Sequence, residues 1–431
     1  MVQGRSLAVE PARYVRGTLR VPGDKSISHR YVMLGAIARG LSVLNNLAPG
    51  ADVASTIACF QRLGVTITRL KPHTIQVTGG GWAGLAEPVD VLDAGNSGTT
   101  LRLLTGLLAG RPFRTSLTGD ASLRRRPMAR VVTPLAAMGA RIQSDAGRAP
   151  LTIDGTSLNG ISWRAEVPSA QVKSAIMLAG LSAAGPTVIT EPTPTRDHSE
   201  RAFPVFGLQI EVTGGKVTVP GGQNAVAPDT PLHVPGDPSS AAVWAAAAAG
   251  LPGSAVQLDG VLLNPRRLGF LGALRRMGAS VAIVGADVSA SEPVGSIHIR
   301  HNGHGDGVIG GAEVPDLIDE LPVLAARAAL GGSLDVSGAS ELRVKESDRI
   351  TALVRGLRAL GVTAEERTDG FVIDGSRRPT GGTADAAGDH RLVMAFALVG
   401  LGASGPTRIE GADAVSVSYP DFARDLAALT S

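Results

Sequence analysis

Eight short polar stretches interrupt an otherwise apolar chain, and they carry the residues that could do chemistry. PGDKSISHR sets Lys25, Ser26 and Arg30 around a turn, and DAGNSGTTLR sets Asn96, Ser97, Gly98 and Thr99 before an apolar run. LRRRPM ends in Arg126-Pro127, SAQVKSA offers Ser169 and Gln171, and TRDHSE offers Arg196. Further on, PDLIDELPVL carries Asp316, Asp319 and Glu320. RVKESDRI packs Lys345, Glu346, Asp348 and Arg349 together, and GDHR adds His390 and Arg391. Most of these stretches read as helix starts, where unpaired N–H groups and the positive end of the helix dipole favour anions. A lysine or arginine at such a start adds what a phosphate or carboxylate clamp requires. Gly98 would let a ligand approach the backbone closely. Carboxylates among the cations could take or give a proton. Each stretch alone also has an ordinary reading: a capped turn, a solvated arginine run, or an exposed ion cluster with pairs one helical turn apart. Collected in one cleft, they would suit an anionic substrate and proton transfer.

The elements that must position these residues form a repeat. An apolar helix followed by Leu/Met/Phe-Gly and a β-branched run recurs at Gly64, Gly139, Gly207, Gly278 and Gly361, at intervals of 75, 68, 71 and 83 residues. Glycine suits the position just past a helix, and VTITRL, ARIQS and ASVAIV read as the following strands. The helix at 421–429 is a sixth, truncated copy. Interleaved with these are Ala/Leu-rich helices expected over 28–38, 99–109, 171–184, 240–249, 320–330 and 391–399. They are apolar on most faces and therefore buried. The unit is a β/α module of roughly 70 residues present six times. Val21-Pro22-Gly23-Asp24 is echoed 213 residues later by Val234-Pro235-Gly236-Asp237, which indicates a duplication of three modules. The expected architecture is an α/β (α+β) protein of two similar domains, residues 21–236 and residues 1–20 with 237–431, the chain crossing near 21 and 236.

Composition removes other classes. The 41 Lys+Arg against 38 Asp+Glu, with 3% aromatic residues, are too weak a signal for nucleic-acid binding. A 44% hydrophobic content excludes a disordered chain, and the lone Cys59, on an apolar helix face, excludes a disulfide framework. No apolar run reaches membrane-span length. The N-terminal MVQGRSLAVEPARYVRG carries charges where a signal peptide needs an apolar stretch, so a cytoplasmic protein is expected. A P-loop, a serine-hydrolase elbow and a GxGxxG strand–turn–helix are absent. HNGHGD, with His301, His304 and Asp306, could hold a metal but reads better as a Gly-rich polar loop, so no metal and no cofactor are expected.

In this order the stretches resemble the 5-enolpyruvylshikimate-3-phosphate (EPSP) synthase family of enolpyruvyl transferases, with KESDR and SAQVKSA the most specific. SAQVKSA and TRDH are more similar to the bacterial branch than to the plant and enteric branch. The resemblance covers essentially the whole chain. It implies two domains, each of three βαβαββ modules around a pseudo-threefold axis, with the active site in the interdomain cleft. It implies enolpyruvyl transfer from phosphoenolpyruvate to the 5-hydroxyl of shikimate 3-phosphate, a shikimate-pathway step towards chorismate and aromatic amino acids. By resemblance, shikimate 3-phosphate meets Lys25, Ser26, Arg30, Ser169, the backbone of Ala170, Gln171, Arg196, Asp319 and Lys345. Phosphoenolpyruvate meets Lys25, Gly98, Arg126, Gln171, Arg349 and Arg391, with Asn96 and His390 as possible additions. Lys25, Asp319 and Glu346 would handle the protons. Small-molecule substrates, a monomer, and glyphosate as inhibitor are further implications. In the plant and enteric branch a lysine lies two residues before an aromatic-Pro pair; here Val417 stands at that position. The sister transferase acting on UDP-N-acetylglucosamine uses a loop cysteine where this chain has Ala121–Arg125. A non-catalytic phospholigand- or RNA-binding repeat protein would need the basic residues but not Asp319 and Glu346.

Overall fold

The computed structural model describes residues 6–430; residues 1–5 and 431, the two ends of the second expected domain and the first part of the N-terminal stretch, lie outside the described residues. The chain divides into two compact units. One comprises Gly23–Val234 and Ser289–Glu292; the other comprises the chain up to Pro22, Pro235–Val288 and Pro293–Ser431. The boundaries at Pro22/Gly23 and Val234/Pro235 fall inside the two Val-Pro-Gly-Asp echoes. The first is called the lysine unit below, after Lys25, and the second the aspartate unit, after Asp319.

Each unit contains three mixed sheets. The middle module of the lysine unit shows the plan. Leu92–Asp93 runs parallel to Arg114–Thr118, which pairs antiparallel with Arg148–Asp154, and Arg141–Asp145 closes the edge. The helix Gly98–Leu108 makes the parallel crossover and Ala129–Ala137 precedes the hairpin, giving βαβαββ. The first module of that unit borrows its opening strand from the far end: Ala225–Val226 and Leu232–His233 both lie parallel to Ala38–Asn45. The aspartate unit closes the same way. Arg16–Leu19 lies parallel to Ala255–Leu262, and Leu7–Val9 pairs antiparallel with Thr407–Glu410.

Six helices fill the interior: Lys25–Ile37, Gly98–Leu108 and Ala170–Gly180 in one unit, and Pro238–Gly250, Leu321–Ala329 and His390–Gly402 in the other. All thirteen residues of Pro238–Gly250 are buried, as its nearly unbroken alanine run demands. Gly106 shows how close the packing is. A β-carbon there would lie 2.1 Å from the Ala175 carbonyl oxygen, so only glycine admits the neighbouring helix. The five Leu/Met/Phe-Gly glycines all have φ between 69° and 98°, the left-handed geometry of a residue just past a helix.

Three expectations shift in detail. The helix expected over 171–184 ends at Gly180, because the Ala184 N–H turns away to the Leu158 carbonyl and Ala184 bridges Asn159. The last helix is Phe422–Thr430 rather than 421–429. The helix expected from Glu320 begins at Leu321 without a side-chain cap, because the short helix Val314–Leu317 feeds into it and Glu320 is already helical. The other five interior helices begin on a capping side chain: Asp24, Ser97, Ser169, Asp237 or Asp389. No helix among the described residues is long and apolar enough to cross a membrane.

Candidate active site

In the lysine unit, Asp24 caps its helix by accepting from the Ile27 N–H at 2.8 Å, which fixes Lys25 and Ser26 in the first turn. Lys25 Nζ donates to Asp52 Oδ2 at 2.9 Å. Arg30 lies one turn on and is buried. It donates to Ser199 Oγ and Ser174 Oγ, both at 2.7 Å, and to the Ser26 carbonyl at 2.9 Å. Burial lowers its pKa to about 10, against the pull of Glu200 and Asp24. The three arginines of LRRRPM separate: Arg124 and Arg125 are exposed, whereas Arg126 is buried and donates to Asn96 Oδ1 at 2.8 Å. Asn96 in turn donates to Asp120 at 2.6 Å.

Gly98, the first residue of its helix, sits beneath two guanidinium groups. A β-carbon there would lie 2.7 Å from Arg102 Nη1 and 3.3 Å from Arg126 Nη1. Arg102 also donates to Gln171 Oε1 at 2.6 Å, and Gln171 donates to Thr99 Oγ1 at 2.9 Å, so DAGNSGTTLR and SAQVKSA meet. Ser169 caps the helix that begins at Ala170, with its hydroxyl 3.4 Å from the Val172 nitrogen. Arg196 stands two residues before the helix His198–Val205 and is close enough to Arg30 to help lower its pKa.

The aspartate unit holds the acids. Arg349 is buried and ringed by carboxylates. It donates to Asp389 Oδ2 at 2.7 Å and to Glu346, and its Nη1 lies 3.6 Å from Asp319. Burial alone would depress its pKa, but Asp389, Glu346 and Asp319 outweigh burial and raise it. Arg391 lies 4.0 Å from Asp319 and 3.8 Å from Glu320. Asp319 and Glu346 each keep 18% of their side chain exposed, so both carboxylates remain reachable. Lys345 is half-buried and precedes Glu346 at the end of a short 3₁₀ turn, Ser340–Val344. His390 is buried, with Nδ1 2.5 Å from Ser418 Oγ, the residue after Val417.

Neighbours in sequence are separated here by burial and by partner. Glu320 is buried and accepts from Ser239, while Asp316 faces outward at 3.9 Å from Arg266. Of the PDLIDE acids, Asp319 therefore lies beside both Arg349 and Arg391. RVKESDRI divides likewise. Asp348 caps the helix Arg349–Ala359 and joins Arg343 and Glu366 in an exposed cluster, whereas Glu346 and Arg349 turn inward. The ordinary reading of that stretch, an exposed ion cluster, holds for Arg343 and Asp348. Asp52, Arg102 and Asp389 do not stand out as site residues in the sequence. Arg102 was findable, one helical turn after Gly98; Asp389 was legible only as a cap, and Asp52 left no signal. Cys59 is buried in Ala51–Arg62, and burial pushes its thiol up to about 12. Among the described residues no group of three His, Cys, Asp or Glu is disposed to hold a metal.

The sequence profile of one family, described as EPSP synthase (3-phosphoshikimate 1-carboxyvinyltransferase), matches residues 9–426. The chain belongs to the EPSP synthase family. It is 48% identical over 425 residues to the 3-phosphoshikimate 1-carboxyvinyltransferase of Pelotomaculum thermopropionicum, covering 98% of both chains. It is 48% identical over 412 residues to the protein of that name from Synechococcus elongatus, covering 95% of this chain and 92% of the other. A solved EPSP synthase from Acinetobacter baumannii superimposes with a TM-score of 0.87 at 39% identity, covering 99% of this chain and 98% of that one. The two-domain α/β fold expected of the family is therefore the fold of this chain. The matched span includes all eight polar stretches, from Lys25 to Arg391.

Proposed function

We infer that this protein transfers the enolpyruvyl group of phosphoenolpyruvate to the 5-hydroxyl of shikimate 3-phosphate, releasing phosphate and supplying the pathway to chorismate. The observation that carries the chemistry is the Asp319–Arg349–Glu346 arrangement: two reachable carboxylates on one buried, firmly charged guanidinium. Arg349 and Arg391 flank Asp319, whose exposed part can reach a substrate hydroxyl. The reaction needs one group to take the 5-hydroxyl proton and one to protonate the methylene carbon of phosphoenolpyruvate. Asp319 takes the first and Glu346 gives the second, so that the hydroxyl oxygen bonds to C2 and the methylene becomes a methyl. The tetrahedral adduct then returns a methyl proton to Glu346 as the C–O bond to phosphate breaks. Lys25 is the alternative proton carrier at either stage.

The cations neutralise the two anionic substrates. Shikimate 3-phosphate is assigned to Lys25, Ser26, Arg30, Ser169, the Ala170 backbone, Gln171, Arg196, Asp319 and Lys345. Phosphoenolpyruvate is assigned to Lys25, Gly98, Arg126, Gln171, Arg349 and Arg391. Asn96 orients Arg126 through their 2.8 Å hydrogen bond. Val417 brings no charge to the corner where Ser418 meets His390, so Arg349 and Arg391 carry the phosphoenolpyruvate charge on that side. The scheme uses no cofactor, and the protein acts as a cytoplasmic monomer without nucleic-acid or membrane partners.

Phosphate release with both substrates present tests the assignment. Release that depends on both substrates and is inhibited by glyphosate competitively with phosphoenolpyruvate is expected. Fosfomycin should have no effect, because Ala121–Arg125 contains no cysteine to alkylate. Inactivation by fosfomycin with glyphosate inert would reassign the chain to the UDP-N-acetylglucosamine transferase.

A further inference from the structure

Immediately before Arg196, the chain passes through a buried ion cluster. Lys173, two residues after Gln171 on the helix Ala170–Gly180, is only 3% exposed. Its ammonium lies 2.7 Å from Glu191 Oε2 and 2.5 Å from Glu200 Oε1, both carboxylates being nearly buried themselves. Glu191 comes directly after the strand Thr187–Thr190, and its N–H donates to the Gly215 carbonyl at 3.0 Å. Its other carboxylate oxygen accepts from Thr195 Oγ1 at 2.5 Å. Glu200 sits on the helix His198–Val205, which fixes the far side of Arg196. The six residues EPTPTR, with prolines at 192 and 194, are therefore pinned at Glu191 and Thr195 and flanked at Glu200, with Lys173 joining the two carboxylates.

Two buried carboxylates beside one ammonium are costly to keep, since desolvation opposes every charge in the group. Burial raises the pKa of Glu200 and Lys173 opposes that rise, while Glu200 Oε2 has no hydrogen-bond partner. Apolar groups of similar volume often stabilise a fold as well as a buried ion cluster does, and this cluster ties the loop before Arg196 at Glu191 and Thr195. We propose that Lys173, Glu191 and Thr195 are positioning residues that hold Arg196 at the phosphoshikimate, setting acceptor affinity without touching the substrates. The proposal rests on the function inferred above.

The test is a KM-against-kcat measurement on the intact enzyme. Lys173→Met leaves two buried carboxylates facing each other and is expected to weaken the fold, so Thr195→Val carries the experiment. It removes the hydroxyl at Glu191 with little change of shape. The KM for shikimate 3-phosphate should rise roughly tenfold, the loss of about one charged hydrogen bond, with kcat within about twofold and the KM for phosphoenolpyruvate unchanged. In an Arg196→Ala background, Thr195→Val should add nothing, because the group it positions is gone. Lys173→Arg, which keeps the charge, should stay nearer the unsubstituted enzyme than Lys173→Met. An unchanged KM in Thr195→Val, or an equal rise with Arg196 absent, overturns the proposal. If the unsubstituted protein neither binds nor turns over shikimate 3-phosphate, the inferred function falls and the clamp with it.

Discussion

Arg30 and Arg349 are both buried arginines near the starts of helices, and their surroundings are opposites. Arg30 spends its hydrogen bonds on two serine hydroxyls and a backbone carbonyl, neutral partners, and Glu200 and Asp24 act on it only through space. Arg349 is enclosed by Asp389, Glu346 and Asp319. Burial brings the first down to about 10, whereas carboxylates drive the second up. Arg126 and Arg102 repeat the neutral choice, meeting Asn96 and Gln171, although Lys25 in the same unit pairs with Asp52. Cations held by neutral groups keep their field for an incoming anion. A cation ringed by carboxylates is itself held charged, as Arg349 is. The same position at a helix start thus sits among neutral partners around Arg30 and among carboxylates around Arg349.

The largest way to break the contrast is to remove the innermost carboxylate. Asp389→Ala strips Arg349 of its closest buried partner and uncaps His390–Gly402, and should cost about 3–5 kcal/mol in chemical denaturation. Ser199→Ala at Arg30 removes a neutral acceptor and should cost less, about 1.5–3 kcal/mol. Equal losses would mean that the two settings do not differ energetically. Asp319→Asn should keep the fold and phosphoshikimate binding while steady-state turnover falls at least about a hundredfold; near-normal turnover would remove Asp319 from the chemistry. Gly98→Ala pushes a methyl group against the flexible ends of Arg102 and Arg126, so the protein should fold. Inhibition by glyphosate should weaken roughly tenfold, the loss of one charged hydrogen bond, and by more than the rise in KM for phosphoenolpyruvate.

The smallest effect concerns His29. Burial first, then Lys25 and Arg30, hold its pKa well below 6.5, so the folded imidazole stays neutral. The unfolded chain takes up a proton as pH falls through 6.5 while the folded protein does not, so His29 costs stability below that pH. The stability of the native protein relative to His29→Gln should therefore fall by about 1 kcal/mol between pH 6.5 and 5.5. A pH-independent difference would mean that neither burial nor the neighbouring cations lower the pKa of His29.

Much of this was legible in the residues. The spacing of Gly64, Gly139, Gly207, Gly278 and Gly361 gave the modules because glycine past a helix end is a local requirement, met within a few residues. The capping aspartates and serines gave the helix starts for the same reason. Val-Pro-Gly-Asp occurs twice and caps a helix both times, with Asp24 accepting from Ile27 and Asp237 from Ser239. The residues after the cap separate the copies: Lys25 keeps some exposure, whereas Pro238 and Ser239 are buried and Ser239 binds Glu320.

Local pattern determined the helices, turns, module count and the polar stretches, because caps and periodicity act over one or two turns of chain. Tertiary structure decided which residue in each stretch is buried and which charges it meets. Arg126 is buried while Arg124 and Arg125 are exposed, Asp319 is separated from Asp316 and Glu320, and Arg349 is paired with Asp389, 40 residues away. Those choices depend on burial and on charges brought within a few ångströms by packing. Coulomb and desolvation terms grow large only at such distances and out of water, so no spacing along the chain encodes them.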